Sequence, residues 1–183
     1  MPYSDQQMQQ AAATLEEASL KVRTGLLLIG ERHTEPHGRG LVANLIQRRL
    51  VDDLFLEIPG NGLEGADMGS PAWLASNLNK DLTKDPQWES DKFTFNGTYQ
   101  NLVPFSRLIE FALSQGVRVH FIDYKPGYGE EAVSPKDRSK LMRKKLDEWG
   151  AGPRSVFLVG SVHLGHVGLR DRPNVQMVKC IGT

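Results

Sequence analysis

The sequence holds a single cysteine, Cys180, in 183 residues. One cysteine excludes an intramolecular disulfide and any multi-cysteine zinc site, and Cys180 reads as a small apolar strand residue. No apolar run approaches the roughly 20 residues of a membrane-spanning helix. The first residues lack a basic segment followed by an apolar one, so no Sec-type signal peptide is expected. These absences predict a soluble, cytoplasmic protein, with secretion by a signal-independent route left open. There is no excess of charge either: 22 lysines and arginines balance 22 aspartates and glutamates. A neutral chain gives no general electrostatic reason to expect nucleic acid or an anionic membrane as partner. Internal repeats and low-complexity tracts are absent. The length suits one domain, with a core that needs no disulfide or metal staple.

What is present is a series of short apolar runs alternating with amphipathic helices. Residues 1–24 suit a polar surface helix from Asp5 onward, with Met8, Ala12, Leu15 and Ala18 or Leu20 as its sparse apolar face. Residues 25–183 then form a single α/β domain. Its first strand covers about Gly25 to Gly30, and a helix from about Gly38 to Leu50 buries Leu41, Leu45 and Ile46. A second strand, Asp53 to Ile58, stops at Pro59-Gly60. Residues 60–100 carry Trp73, Trp88, Phe93, Phe95 and Tyr99 among glycines and prolines. That is too long for a plain connection, and it predicts an insertion covering the carboxyl edge of the sheet. A third helix covers about Asn101 to Ser114, with Gly116 past its end. The third strand is Val117 to Tyr124. Ser134-Pro135-Lys136-Asp137 reads as a capped helix start with an acid at the third position, and Gly150 ends that helix. Ser155 to Gly160 is the fourth strand. A last strand, about Val175 to Ile181, is either parallel or an antiparallel edge. The pattern predicts a mostly parallel sheet with helices on both faces.

Four of these strands deliver an ionisable group at or just past the carboxyl end. They are Glu31 and His33 in Leu26-Leu27-Leu28-Ile29-Gly30-Glu31-Arg32-His33, then Glu57, Asp123 and His163. Positions i and i+2 of an extended chain point the same way, so Glu31 and His33 are expected to project together. In a parallel sheet all these ends share one edge, where open α/β sheets build their sites. Two imidazoles with two or three carboxylates suit zinc, manganese, cobalt or iron. The same groups could work without metal, a histidine deprotonating water and a carboxylate orienting the ring. Spacing alone does not choose between them. His37 and His166 are secondary candidates, and His120, in mid-strand, reads as a satisfied core histidine. Arg138 sits in the first turn of a helix, where a cation opposes the helix dipole. That points to a partner: a substrate anion, a site carboxylate, or simply Asp137 or Glu131.

The Gly30-Glu31-Arg32-His33 motif after a first strand resembles the Gly-x-x-His hallmark of the Tiki/TraB family. It also resembles the related ChaN-like and erythromycin-esterase-like proteins. The strand ending at Glu57, the segment Gly97 to Asp123, the helix from Asp137-Arg138 to Met142, and Val159-Gly160-Ser161-Val162-His163 match in the same order. The resemblance spans roughly residues 25–170. It implies an α/β fold with its site at the strand tips. Tiki-like members are metal-dependent proteases, ChaN-like members bind haem, and esterase-like members hydrolyse a lactone with histidine-activated water. By position, Glu31, His33, Glu57 and His163 would be the functional core and metal ligands, with Asp123 and Arg138 in support. The expectation is a hydrolase of an ester, amide or peptide bond acting on a small-molecule or peptide substrate. Alternatives are a non-catalytic protein binding haem or another small ligand, and a toxin or effector domain of the same fold.

Overall fold

The computed structural model describes residues 5–31, 37–59, 105–123, 133–165 and 167–179. The expected insertion at 60–100, His33, His166 and Cys180 lie outside these residues. Among the described residues, no helix is long and apolar enough to cross a membrane.

Among the described residues, the elements in chain order are α1 (Asp5–Lys21), β1 (Leu26–Glu31), α2 (His37–Gln47), β2 (Asp53–Pro59) and α3 (Phe105–Ser114). There follow β3 (Arg118–Asp123), α4 (Pro135–Glu148), β4 (Ser155–Gly160), a 3-10 turn (Ser161–Gly165), α5 (Val167–Arg170) and β5 (Val175–Lys179). The strands form one sheet in the order β3-β2-β4-β1-β5. Every pairing is parallel, including β5 against β1. The final strand is thus not an antiparallel edge. The link from Gly160 to Val175 contains the 3-10 turn and α5, enough chain for the crossover of about a dozen residues that a parallel return needs.

The strands are continuous apolar runs because both faces are covered. Leu27, Ile29, Leu54, Leu56, Val156 and Leu158 pack with Leu15 and Ala18 of α1, Leu41 and Leu45 of α2, and Leu108 and Ile109 of α3. Leu26, Leu28, Phe55, Phe157 and Val159 face the other way, onto Met142 and Leu146 of α4 and Leu169 of α5. In α1 the buried stripe runs through Leu15 and Ala18 and on to Val22, while Leu20 is 70% exposed.

Local signals set the helix ends. Ser134 Oγ accepts from the Asp137 N–H at 3.1 Å, and Pro135 follows it at the first helical position. Gly116 (φ 77) and Gly150 (φ 65) end α3 and α4 in the left-handed region, as helix-stop glycines do. Helix α2 stops on Arg49 in the same conformation (φ 57). His120 is a core histidine as expected: its Nε2 lies 2.8 Å from Asp53 and its ring stacks on Phe55 at 4.5 Å.

The start of β1 is closely fitted to the loop before β5. A Cβ on Gly25 would lie 1.9 Å from the Asn174 carbonyl oxygen, which accepts the Leu26 N–H at 3.1 Å. A backbone atom cannot swing aside as a side chain can. Gly25→Ala is therefore expected to destabilise by about 1–3 kcal/mol, read as a lower urea midpoint at unchanged slope. A wild-type midpoint would contradict this packing of β1 against β5.

Candidate active site

The carboxyl ends of the five described strands lie on one edge of the sheet, and β1, β4, β2 and β3 are successive neighbours there. The β1–β4 ladder runs to Glu31 opposite Gly160, whereas the β2–β4 ladder stops at Leu56 opposite Leu158. Between Leu56 and Pro59, β2 also slips against β3: its three steps span only two on β3, from Phe121 to Asp123. Glu57 sits in this irregularity, the kind of bulge that re-aims a side chain at a strand end. Its Oε2 takes the Gly160 N–H at 2.6 Å. A side-chain carboxylate thus replaces the backbone acceptor that the interrupted ladder no longer supplies.

The other oxygen of Glu57 is shared. Arg138 Nη2 donates to Oε1 at 2.9 Å, and His163 Nε2 lies 3.1 Å from the same atom. Arg138 also holds Asp123, Nε to Oδ1 at 3.1 Å and Nη2 to Oδ2 at 2.5 Å. One guanidinium therefore bridges the tips of β2 and β3. Of the partners weighed for Arg138, the site carboxylates are bonded to it, and Glu131 lies outside the described residues. His163 stands on the 3-10 turn after β4, and its Nδ1 is 2.8 Å from Ser139 Oγ. Ser139 is fully buried and His163 nearly so.

These contacts fix the charges. Burial alone would raise the Glu57 carboxyl, but the His163 hydrogen bond, the Gly160 N–H and the nearby Arg138 charge outweigh it and leave it below the ordinary glutamate range. The hydrogen bond that Arg138 donates to Asp123 raises the guanidinium further. Glu57 is thus an ionised carboxylate at neutral pH, held by a permanent cation.

Glu31 belongs to a second pair. Its Oε1 accepts from Arg39 Nε at 2.9 Å, and the two side chains are 2% and 0% exposed. Arg39 comes from α2, so Glu31 faces α2 whereas Glu57 and His163 face α4. Helix α2 comes close here: a Cβ on Gly38 would lie 2.8 Å from Leu158 Cδ1 and 3.0 Å from Glu31 Cβ. Four residues expected at the site, Glu57, Asp123, Arg138 and His163, are thus joined by hydrogen bonds. Glu31 flanks Gly160 on the opposite face of the same edge.

Two residues of this edge escaped the reading of the sequence. Arg39 carried a usable signal, a cation in a first helical turn, as at Arg138. Ser139 carried a faint one, a poor helix former in mid-helix.

The described donors do not fit a metal centre. Glu57 is occupied by Arg138, Glu31 by Arg39, and both nitrogens of His163 have partners at hydrogen-bond distance. Among the described residues, no group of three or more histidine, cysteine, aspartate or glutamate side chains could hold a metal ion. A cavity of about 390 Å³ lies at the opposite edge of the sheet, lined by Arg49, Asp52, Gln115 and Arg154. It is remote from these groups, and Arg154 is engaged there by Asp52. Comparison with protein-family models, curated proteins and solved structures gives no match for this chain.

Proposed function

We propose that the chain is a hydrolase that cleaves an ester, amide or peptide bond with activated water, in the manner of the Tiki and erythromycin-esterase-like group it resembles. The observation that carries this reading is the hydrogen-bonded set Glu57, Asp123, Arg138 and His163. These residues come from two strand tips, a helix and a turn, and they meet on the edge where such folds place chemistry. Glu57 is a poor base: it is ionised below the usual range and both its oxygens are engaged. His163 has no nitrogen to spare. In this reading both serve to stiffen the site, and His33, two residues beyond Glu31 in the sequence, takes the proton from water. Arg138 is the most exposed member, at 28%, and its Nη1 bonds no described residue. It would polarise the substrate oxygen and meet the charge that develops there.

The test is turnover of p-nitrophenyl esters, lactones and labelled peptides by the full chain, with and without chelator. Activity is expected to survive chelator, to vanish in His33→Ala, and to fall at least about a hundredfold in Glu57→Gln. The same turnover in both variants would remove the proposal. Loss of activity with chelator, restored by one divalent ion, would replace it with the metal-dependent version.

A further inference from the structure

Ser139 is one helical residue from Arg138, yet it touches neither carboxylate. It has one hydroxyl hydrogen and two neighbours at 2.8 Å that could receive it: the Pro135 carbonyl and His163 Nδ1. We infer that this hydrogen goes to His163, and that Ser139 is a positioning residue which, through the imidazole, holds Glu57 in place.

The reasoning is a count of hydrogens. Glu57 Oε1 can only accept, because Glu57 is ionised and already receives bonds from Arg138 and Gly160. A neutral His163 must therefore turn an N–H toward it, which places the hydrogen on Nε2. Nδ1 then carries a lone pair. In a pocket this dry, that lone pair needs a donor, and among the described residues Ser139 Oγ–H at 2.8 Å is a donor in reach. The opposite arrangement, with Ser139 bonded to Pro135 and the hydrogen on Nδ1, would set the Nε2 lone pair against a carboxylate oxygen at 3.1 Å. The Pro135 carbonyl keeps its partner within the helix in either case.

The consequence is a chain of support: Ser139 fixes the ring, the ring fixes Oε1 of Glu57, and Oε1 shares Arg138 with Asp123. Ser139 lies beyond reach of any substrate, so its effect is on orientation. This inference rests on the proposed hydrolysis only for its kinetic readout. The spectroscopic readout stands without any activity.

The experiment is a long-range ¹⁵N–¹H correlation spectrum of the full chain labelled in its histidine nitrogens, recorded at rising pH until the ring signals stop moving. His163 is identified as the signal missing in His163→Gln. The wild type is expected to show the Nε2–H form alone, and an Nδ1–H form overturns the inference. In Ser139→Ala the Nδ1 signal should move toward its unbonded position and the ring signals should broaden or double. Turnover should fall about tenfold or more in kcat with KM little changed. Ser139→Thr, which keeps the hydroxyl, should restore the wild-type ring signals. If Ser139→Ala keeps one sharp wild-type pattern, Glu57 alone holds the ring and Ser139 has no such role. Should the alanine variant not fold, the wild-type and threonine spectra decide. An unperturbed ring with no turnover of any substrate would instead count against the hydrolase reading alone.

Discussion

Replacing Arg39 by alanine is expected to lower stability by about 3–5 kcal/mol, the usual cost of stranding one half of a buried ion pair. Arg39 is wholly buried and its partner Glu31 is 2% exposed. Desolvation is the largest influence on Arg39. It pushes the guanidinium down to about 10, with the Glu31 charge and hydrogen bond pulling only partly back. The charge is therefore held at a net cost. The sign follows from linkage: from about pH 10 up to the ordinary guanidinium range, the unfolded chain binds this proton more tightly than the folded one. The cost is in full force at neutral pH and fades only as pH rises through about 10. Removing Arg39 does not relieve Glu31, whose nearly buried carboxylate would lose this cation. Removing both should. Glu31→Leu with Arg39→Met is expected to recover wild-type stability or exceed it by about 1–4 kcal/mol, read from urea midpoints at constant slope. A pair kept at a cost to folding points to a task at the strand edge, so the recovered double variant should be inactive. Arg39→Ala within about 1 kcal/mol of wild type would mean that water reaches the pair.

The same pair marks where the sequence stops being readable. The apolar runs Leu26 to Ile29 and Val156 to Val159 identify their strands because each residue is buried on one face or the other. The helix stops at Gly116 and Gly150 and the cap at Ser134 are equally local. A residue's face is different, because it depends on which helix lies above it. Glu31 and Glu57 looked alike as acids ending strands. They are separated because α2 covers the face of Ile29 while α4 covers that of Phe55. The slip that turns Glu57 toward Gly160 is set by the spacing of β3, some sixty residues away in the chain, and leaves no mark near Glu57. The direction of β5 was open for the same reason, since parallel pairing was decided by where the link after Gly160 runs. Arg138 was the exception. Its conflict with the helix dipole announced a strong partner, and the structure supplies Asp123 and Glu57. The same conflict at Arg39 would have announced Glu31.

Replacing Arg138 by alanine should harm both function and folding, and the two effects can be separated. Arg138 is 28% exposed while Glu57 and Asp123 are 9% and 6% exposed. Its loss leaves two nearly buried carboxylates side by side. The expected cost is about 2–4 kcal/mol, somewhat under that of a fully buried pair because water already reaches the guanidinium. The pH dependence identifies the source. In the wild type the folded Glu57 carboxyl lies below its ordinary value of 4.5. Its contribution to stability is therefore present above about pH 4.5 and lost as pH falls through the lowered folded value. Without Arg138 one of the lowering influences is gone and burial, which raises the group, gains weight. Acid unfolding should then begin at higher pH in Arg138→Ala than in the wild type. Arg138→Lys should restore part of the stability, since a charge is back, but little of the activity. An ammonium cannot span Asp123 and Glu57 while offering a third edge to substrate, as the planar fork does. Turnover in Arg138→Lys is expected to stay down about a hundredfold or more. A lysine variant as active as the wild type would reduce Arg138 to a structural clamp, and the polarising group would have to be sought elsewhere along the strand tips.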